Sequence, residues 1–226
     1  MLGPEESGHC CRVLRMHEGD EIFVVDGKGM AYHCRILNAN PKGVEVEILS
    51  VKEEFPGWGG RLTLAVAPTK NADRMEWLVE KAVEMGVDEI VLLVADRSER
   101  RKMRTDRLEK IMVAAMKQSL KAKLPKLKGP VPIDDFLKET ASLEAVKTLG
   151  YCLSECDRTD FGKVYNGEGD AVIMIGPEGD FSPREVGAAM EAGYKPVTFG
   201  DERLRTETAA MYGVAAFHVL NNLKKK

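Results

Sequence analysis

The chain has no apolar run long enough to cross a bilayer as a helix, so a helical membrane protein is not expected. Its first residues, MLGPEESGHCCRV, have no basic segment followed by an apolar one, so no secretory leader is expected. Cysteine is sparse, with five in 226 residues. That is too few for a disulfide framework, and neither Cys10-Cys11 nor Cys152 and Cys156 show metal-ligand spacing or a histidine pair. The expectation is a cytoplasmic protein with free thiols, no metal and no membrane partner. There is no GxxxxGK[ST] sequence, which argues against a P-loop nucleotide triphosphatase. The first strand of the α/β region is followed by APTKNADRMEW, which contains no glycine. A dinucleotide fold, or the common adenosylmethionine-binding fold, needs its glycine-rich turn at that early place. No internal repeat and no low-complexity tract is present.

At 44% apolar and 31% charged residues, the chain has the composition of a globular protein with a sizeable core. The net charge of −3 is unevenly spread. Between Arg97 and Lys128 there are 12 Lys/Arg against 3 Asp/Glu, a net of +9, so the remainder carries −12. Such a block suits a phosphate footprint, and equally a solvated helix face.

Two β-rich runs flank Asp26-Gly27-Lys28-Gly29, a hairpin signal, and VEVEILS alternates with period two. The cluster EEFPGWGG then breaks the pattern. We read residues 1–57 as a small β-barrel or sandwich and residues 61–226 as a second domain. There the strand RLTLAVA leads into a helix over NADRMEWLVEKAVEMGV, with Met75, Leu78, Ala82 and Met85 on one face and Gly86 at its end. Further strands are expected at EIVLLVA, 147–154, 171–176 and 197–200, with a helix over TDRLEKIMVAAMKQSLKA. Alternating strands and helices imply a parallel sheet covered on both faces.

Ligands of open α/β sheets bind beyond the carboxyl ends of the strands, and here the glycine turns come late, at Gly176, Gly179 and Gly200. Ser182-Pro183-Arg184-Glu185 is a capping box with proline at the first helical position. The Gly-Pro-Glu-Gly turn before it either lets the backbone pass close to a ligand under Glu178 or is a plain strand-to-helix connection. In FGDERLRTETAAMYGV, Thr206 or Thr208 is expected to cap a long helix. Arg203 and Arg205 then form a cationic rim, unless they are spent on Asp201 and Glu202.

The pair IGPEGDFSPREV and FGDERLRTETAA resembles the signature of the 16S ribosomal RNA uracil-N3-methyltransferases (RsmE-type) of the SPOUT superfamily. GHCCRVLRMHEGDE and PTKNADRMEWLVEKAVEMGVDEI extend the resemblance over nearly the whole chain. It implies a PUA-like RNA-binding barrel, here short of its first strand, and a SPOUT domain with a trefoil knot. It implies S-adenosylmethionine bound by Leu153, Ile175, Gly176, Pro177, Gly179, Phe199, Gly200, Arg203, Leu204, Arg205 and Thr206. It also implies a homodimer acting on 16S ribosomal RNA of the small ribosomal subunit. AMKQSLKAKLPKL departs from the glutamine-serine-glycine-arginine sequence common at that helix end, which bears on RNA contacts.

Uracil N3 carries a proton about as weakly acidic as a phenol, so transfer needs a base or a cation that stabilises the anion. Arg205 is the expected stabiliser. Glu178 is the candidate base, if partial burial raises its pKa, with hydrogen bonding to the cofactor or Arg205 as its rival role. Arg12, Arg15, Arg97, Arg100 and Arg101 are the expected RNA contacts. Trp58 is expected to pack between domains, and Met75, Met85, Met112 and Met116 to be core. A SPOUT ribose 2′-O-methyltransferase and a non-catalytic ribosome-assembly factor are the competing readings.

Overall fold

The computed structural model describes residues 1–53, 59–152 and 157–225. They form two compact units, Met1–Pro56 with Leu120–Leu124, and Gly57–Ser119 with Pro125–Lys226.

In the first unit α1 (Pro4–Gly8) runs into a π-helical turn, His9–Val13. Three antiparallel strands follow: β1 (Glu21–Val25), β2 (Met30–Asn38) and β3 (Glu45–Glu53). Asp26 makes the hairpin, its Oδ1 accepting the amides of Lys28 at 2.7 Å and Met30 at 3.1 Å. Cys10, Ile36 and Val44 form the core, with Leu2, Met16, Ile22 and Val46 against it. Among the described residues the strands of this unit form one three-stranded antiparallel sheet.

In the second unit seven parallel strands lie in the order β6-β5-β4-β9-β7-β10-β8. They are β4 (Leu62–Val66), β5 (Glu89–Val94), β6 (Lys126–Pro132), β7 (Val146–Gly150), β8 (Thr159–Asp160), β9 (Ala171–Ile175) and β10 (Lys195–Thr198). The strand β6 was not foreseen: its sequence KLKGPVP, with a glycine and two prolines, carries no strand signal. The chain goes from β7 out to β8 at the edge and returns to insert β9 between β4 and β7.

Helices cover both faces. On one, α4 (Ile133–Thr140) and α6 (Pro183–Glu191) bury Phe136, Leu137, Val186 and Ala189 against Ala65, Leu93, Leu149 and Met174. The other carries α2 (Ala72–Met85), α3 (Thr105–Gln118) and α7 (Thr206–Lys224), with the short α5 (Phe161–Val164) beside α7. Asn71 caps α2 by accepting the Asp73 amide at 2.8 Å, and Gly86 ends it at φ 97°, which a side chain would disfavour. Met75, Leu78, Ala82, Met112 and Met116 are buried as expected, whereas Met85 is half-buried. On α7, Ala210, Val214 and Phe217 are fully buried. Each large side chain so buried contributes about 1.5–3 kcal/mol.

Candidate active site

All five residues of β9 are buried, and the turn at its end, Gly176 to Ser182, leaves the sheet at its carboxyl edge. The Asp180 amide donates to the Pro177 carbonyl at 2.9 Å. Asp180 itself sits at φ 61°. Its Oδ1 accepts the Phe181 amide at 2.8 Å, and its Oδ2 accepts the Cys152 amide at 2.9 Å. That second bond ties the loop after β7 to the loop after β9.

The capping box is present. Ser182 Oγ accepts the Glu185 amide at 3.3 Å, and Glu185 Oε2 accepts the Ser182 amide at 2.8 Å. Glu185 is fully buried, and its Oε1 accepts the Asp96 amide at 2.8 Å. One carboxylate therefore fixes the start of α6 and the loop after β5. Sequence spacing gave the first half of this; the contact with Asp96 spans 89 residues and left no local signal. Asp96 is held by its side chain too. The Ser182 hydroxyl at 2.7 Å, followed by the Arg184 guanidinium, keeps its carboxyl below the usual carboxylate range. Arg184 also donates to both oxygens of Asp134, at 2.9 and 3.1 Å.

The loop after β10 runs to Arg205, whose extended backbone (φ −73°, ψ 159°) forms the N-cap of α7. Neither threonine caps the helix, contrary to expectation. Thr206 is already its first residue, and its buried hydroxyl donates to the Gly176 carbonyl at 3.2 Å. The two late loops are thereby joined. Arg203 and Arg205 are exposed and Leu204 is half-buried. Among the described residues neither arginine pairs with Asp201 or Glu202. Burial, followed by the Asp180 carboxylate, pushes the Cys152 thiol up, with the positive charges of Arg158 and Arg203 opposing them. The nearly buried Glu207 meets Arg74 of α2 at 3.5 Å. Behind the loops, Ile175 and Phe199 pack over Gly150. A Cβ there would lie 2.8 Å from Ile175 Cδ1 and 3.2 Å from Phe199 Cε2, so a larger residue would make both side chains shift.

Glu178 is exposed, not partly buried, and its Oε1 accepts the Lys70 amide at 2.9 Å. The expected RNA-contact arginines of this unit turn onto backbone. Arg97 donates to the carbonyls of Gly179 and Phe181, Arg100 to Lys70, and Arg101 to Asp96. Arg12 and Arg15 belong to the first unit, where both are exposed. Leu153, Cys156 and Trp58 lie outside the described residues.

The assembled rim carries both signs: Glu178 and Asp180 on one turn, Arg203 and Arg205 on the other. A ligand with a cationic centre and a carboxylate would be matched at both ends. A cavity of about 450 Å³, lined by Asp160, Phe161, Phe199, Gly200 and the α7 residues Tyr212 and Val219, touches the start of the loop after β10 but none of these four charged residues.

Comparison with known proteins gives two family matches. The family described as RNA methyltransferase domain matches residues 58–218, and the one described as RNA methyltransferase PUA domain matches residues 2–49. A ribosomal RNA small subunit methyltransferase E from Aquifex aeolicus is 29% identical over 203 residues, covering 88% of this chain and 85% of that protein. The crystal structure of a probable rRNA-methyltransferase from Porphyromonas gingivalis is 41% identical, with a TM-score of 0.93 over 99% of this chain and 94% of that one. A ribosomal RNA small subunit methyltransferase E from Neisseria gonorrhoeae, solved bound to S-adenosyl methionine, is 30% identical, with a TM-score of 0.84 over 96% of this chain and 90% of that one.

Proposed function

We propose, for a chain that belongs to the RNA methyltransferase family and joins its catalytic domain to the family's PUA domain, that it methylates N3 of a specific uridine in 16S ribosomal RNA of the small subunit, using S-adenosylmethionine. The observation that carries the reading is the Thr206–Gly176 hydrogen bond, which joins the two loops where the cofactor-binding residues were expected.

The residues fit that cofactor. Glu178 and Asp180 provide negative charge for its sulfonium and ammonium groups, and Arg203 provides positive charge for its carboxylate. Gly200 has open space where a side chain would stand and so leaves room for an adenosine, whereas at Gly176 and Gly179 that space is taken by Phe181 and Arg97. The cofactor supplies an electrophilic methyl group. The chain has to hold uracil N3 in line with that methyl and stabilise the charge that N3 acquires on losing its proton. Arg205 is the residue for this second task. It is exposed at the head of α7, its side chain has no partner among the described residues, and its charge is permanent. Glu178 already holds the Lys70 amide, which supports an anchoring role over that of general base.

A uridine in folded RNA has to be splayed out to reach such a rim. Arg12, Arg15, Arg97, Arg100 and Arg101 would meet phosphates, the last three with the N–H groups left over from their backbone contacts. The outer face of α7, where Tyr212, Val219 and Leu223 are exposed, is the surface for a second copy of the chain. The reaction belongs in the cytoplasm, where the subunit is assembled. No helix among the described residues is long and apolar enough to cross a membrane. The strand order with β9 between β4 and β7 supports the trefoil knot as part of this proposal.

The test is methylation of small ribosomal subunits with labelled cofactor, followed by mass spectrometry of the nucleosides. Label in 3-methyluridine is expected. Label in a 2′-O-methyl nucleoside would transfer the assignment to the ribose, and no label would leave an RNA-binding assembly factor.

A further inference from the structure

Arg97 heads the basic stretch, yet its guanidinium is turned onto the turn after β9. Nη1 donates to the Gly179 carbonyl at 2.9 Å and to the Phe181 carbonyl at 3.3 Å. Its alkyl stem covers Gly179 so closely that a Cβ there would lie 3.2 Å from Arg97 Cβ and 3.5 Å from Cδ.

The base from which Arg97 reaches is itself fixed. The Asp96 amide is held by buried Glu185, and the Asp96 carboxylate by Ser182 and Arg184. Ser98 Oγ accepts the Ala95 amide at 2.9 Å, and the Ser98 amide donates to the Ala95 carbonyl at 3.1 Å, closing the bend on both sides of Arg97. Thr206 holds the near end of the same turn at Gly176, and Cys152 holds Asp180. Arg97 holds the carbonyls on either side of Asp180, with a charged donor, which makes for stronger hydrogen bonds than a neutral one.

We propose that Arg97 is a positioning residue for the cofactor site. By gripping two carbonyls it fixes the peptide units from Gly179 to Phe181 in one orientation before the cofactor arrives. A turn containing two glycines would otherwise have to be ordered on binding, at the expense of affinity. The inference rests on the S-adenosylmethionine reading above and adds a role for an arginine expected only to meet phosphate.

The experiment is calorimetric titration of the full chain with S-adenosylmethionine, without RNA, for wild type, Arg97→Ala and Arg97→Lys, alongside steady-state methylation and the melting temperature of each. Loss of a charge-assisted contact predicts cofactor binding weakened about tenfold or more in Arg97→Ala. KM for the cofactor should rise while kcat changes less, and Arg97→Lys should recover part of the loss. Should Arg97→Ala fail to fold, Arg97→Lys carries the test: one ammonium cannot reproduce the guanidinium geometry, so its affinity should still fall below wild type. Cofactor affinity within twofold of wild type in the folded variants would overturn the proposal, whatever happens to RNA binding. Absence of cofactor binding by the wild type would instead overturn the methyltransferase reading and this inference with it.

Discussion

The Thr206 hydroxyl donates to the Gly176 carbonyl at 3.2 Å, joining loops that leave β9 and β10 some thirty positions apart in the chain. Thr206→Val keeps the shape of the side chain and removes the donor, leaving a buried carbonyl without its partner at a cost of about 1–3 kcal/mol. Cofactor affinity should fall about tenfold, as read by calorimetry. Unchanged affinity would mean that the bond does not shape the site.

Arg205→Ala should abolish methyl transfer. The side chain makes no hydrogen bond or ion pair among the described residues, so the helix start and the melting temperature should stay as they are. Near-normal turnover, measured by transfer of labelled methyl to subunits, would remove the assignment of Arg205 to the uracil anion.

Glu178→Gln separates anchoring from proton abstraction. The glutamine oxygen can still accept the Lys70 amide but no longer carries the charge offered to the cofactor, so kcat should stay within about threefold of wild type while KM for S-adenosylmethionine rises, and Glu178→Ala, which loses the anchor as well, should weaken cofactor binding by about tenfold. A loss of about a hundredfold in kcat for Glu178→Gln, with cofactor affinity intact, would establish the carboxylate as the base.

Much of this region is written locally in the sequence. The capping box of Ser182 and Glu185, the Asn71 cap and Gly86 stop of α2, and the hairpin at Asp26 all depend on contacts within four residues. What was not legible depends on distance. The insertion of β9 beside β4 pairs residues more than a hundred apart. The grip of Arg97 on Gly179 spans 82 positions. Thr206 carried the signal of a cap, but tertiary contact with Gly176 claimed its hydroxyl. β6 was read only as charge, since its glycine and prolines hide a strand that pairing with β5 enforces.

The pH dependence of stability should reflect Tyr194. Its ring is buried, and its hydroxyl lies 2.7 Å from Thr140 Oγ1. Burial pushes its pKa up to about 12, against about 10 when unfolded. A raised folded pKa means that the contribution is complete below about pH 10 and is lost as pH rises through about 12. Denaturant midpoints should therefore fall across that window. Tyr194→Phe should lower stability by about 1 kcal/mol near neutrality and flatten the alkaline fall, leaving the part due to Tyr165, which burial also pushes up. An unchanged alkaline slope in Tyr194→Phe would place the titration elsewhere.

The central claim is that the loops after β9 and β10 form one cofactor site. Hydrogen exchange of the full chain with and without S-adenosylmethionine tests it most directly. The account predicts slowed exchange concentrated in residues 175–182 and 199–207. Slowed exchange confined to other segments, or none at saturating cofactor, would contradict it.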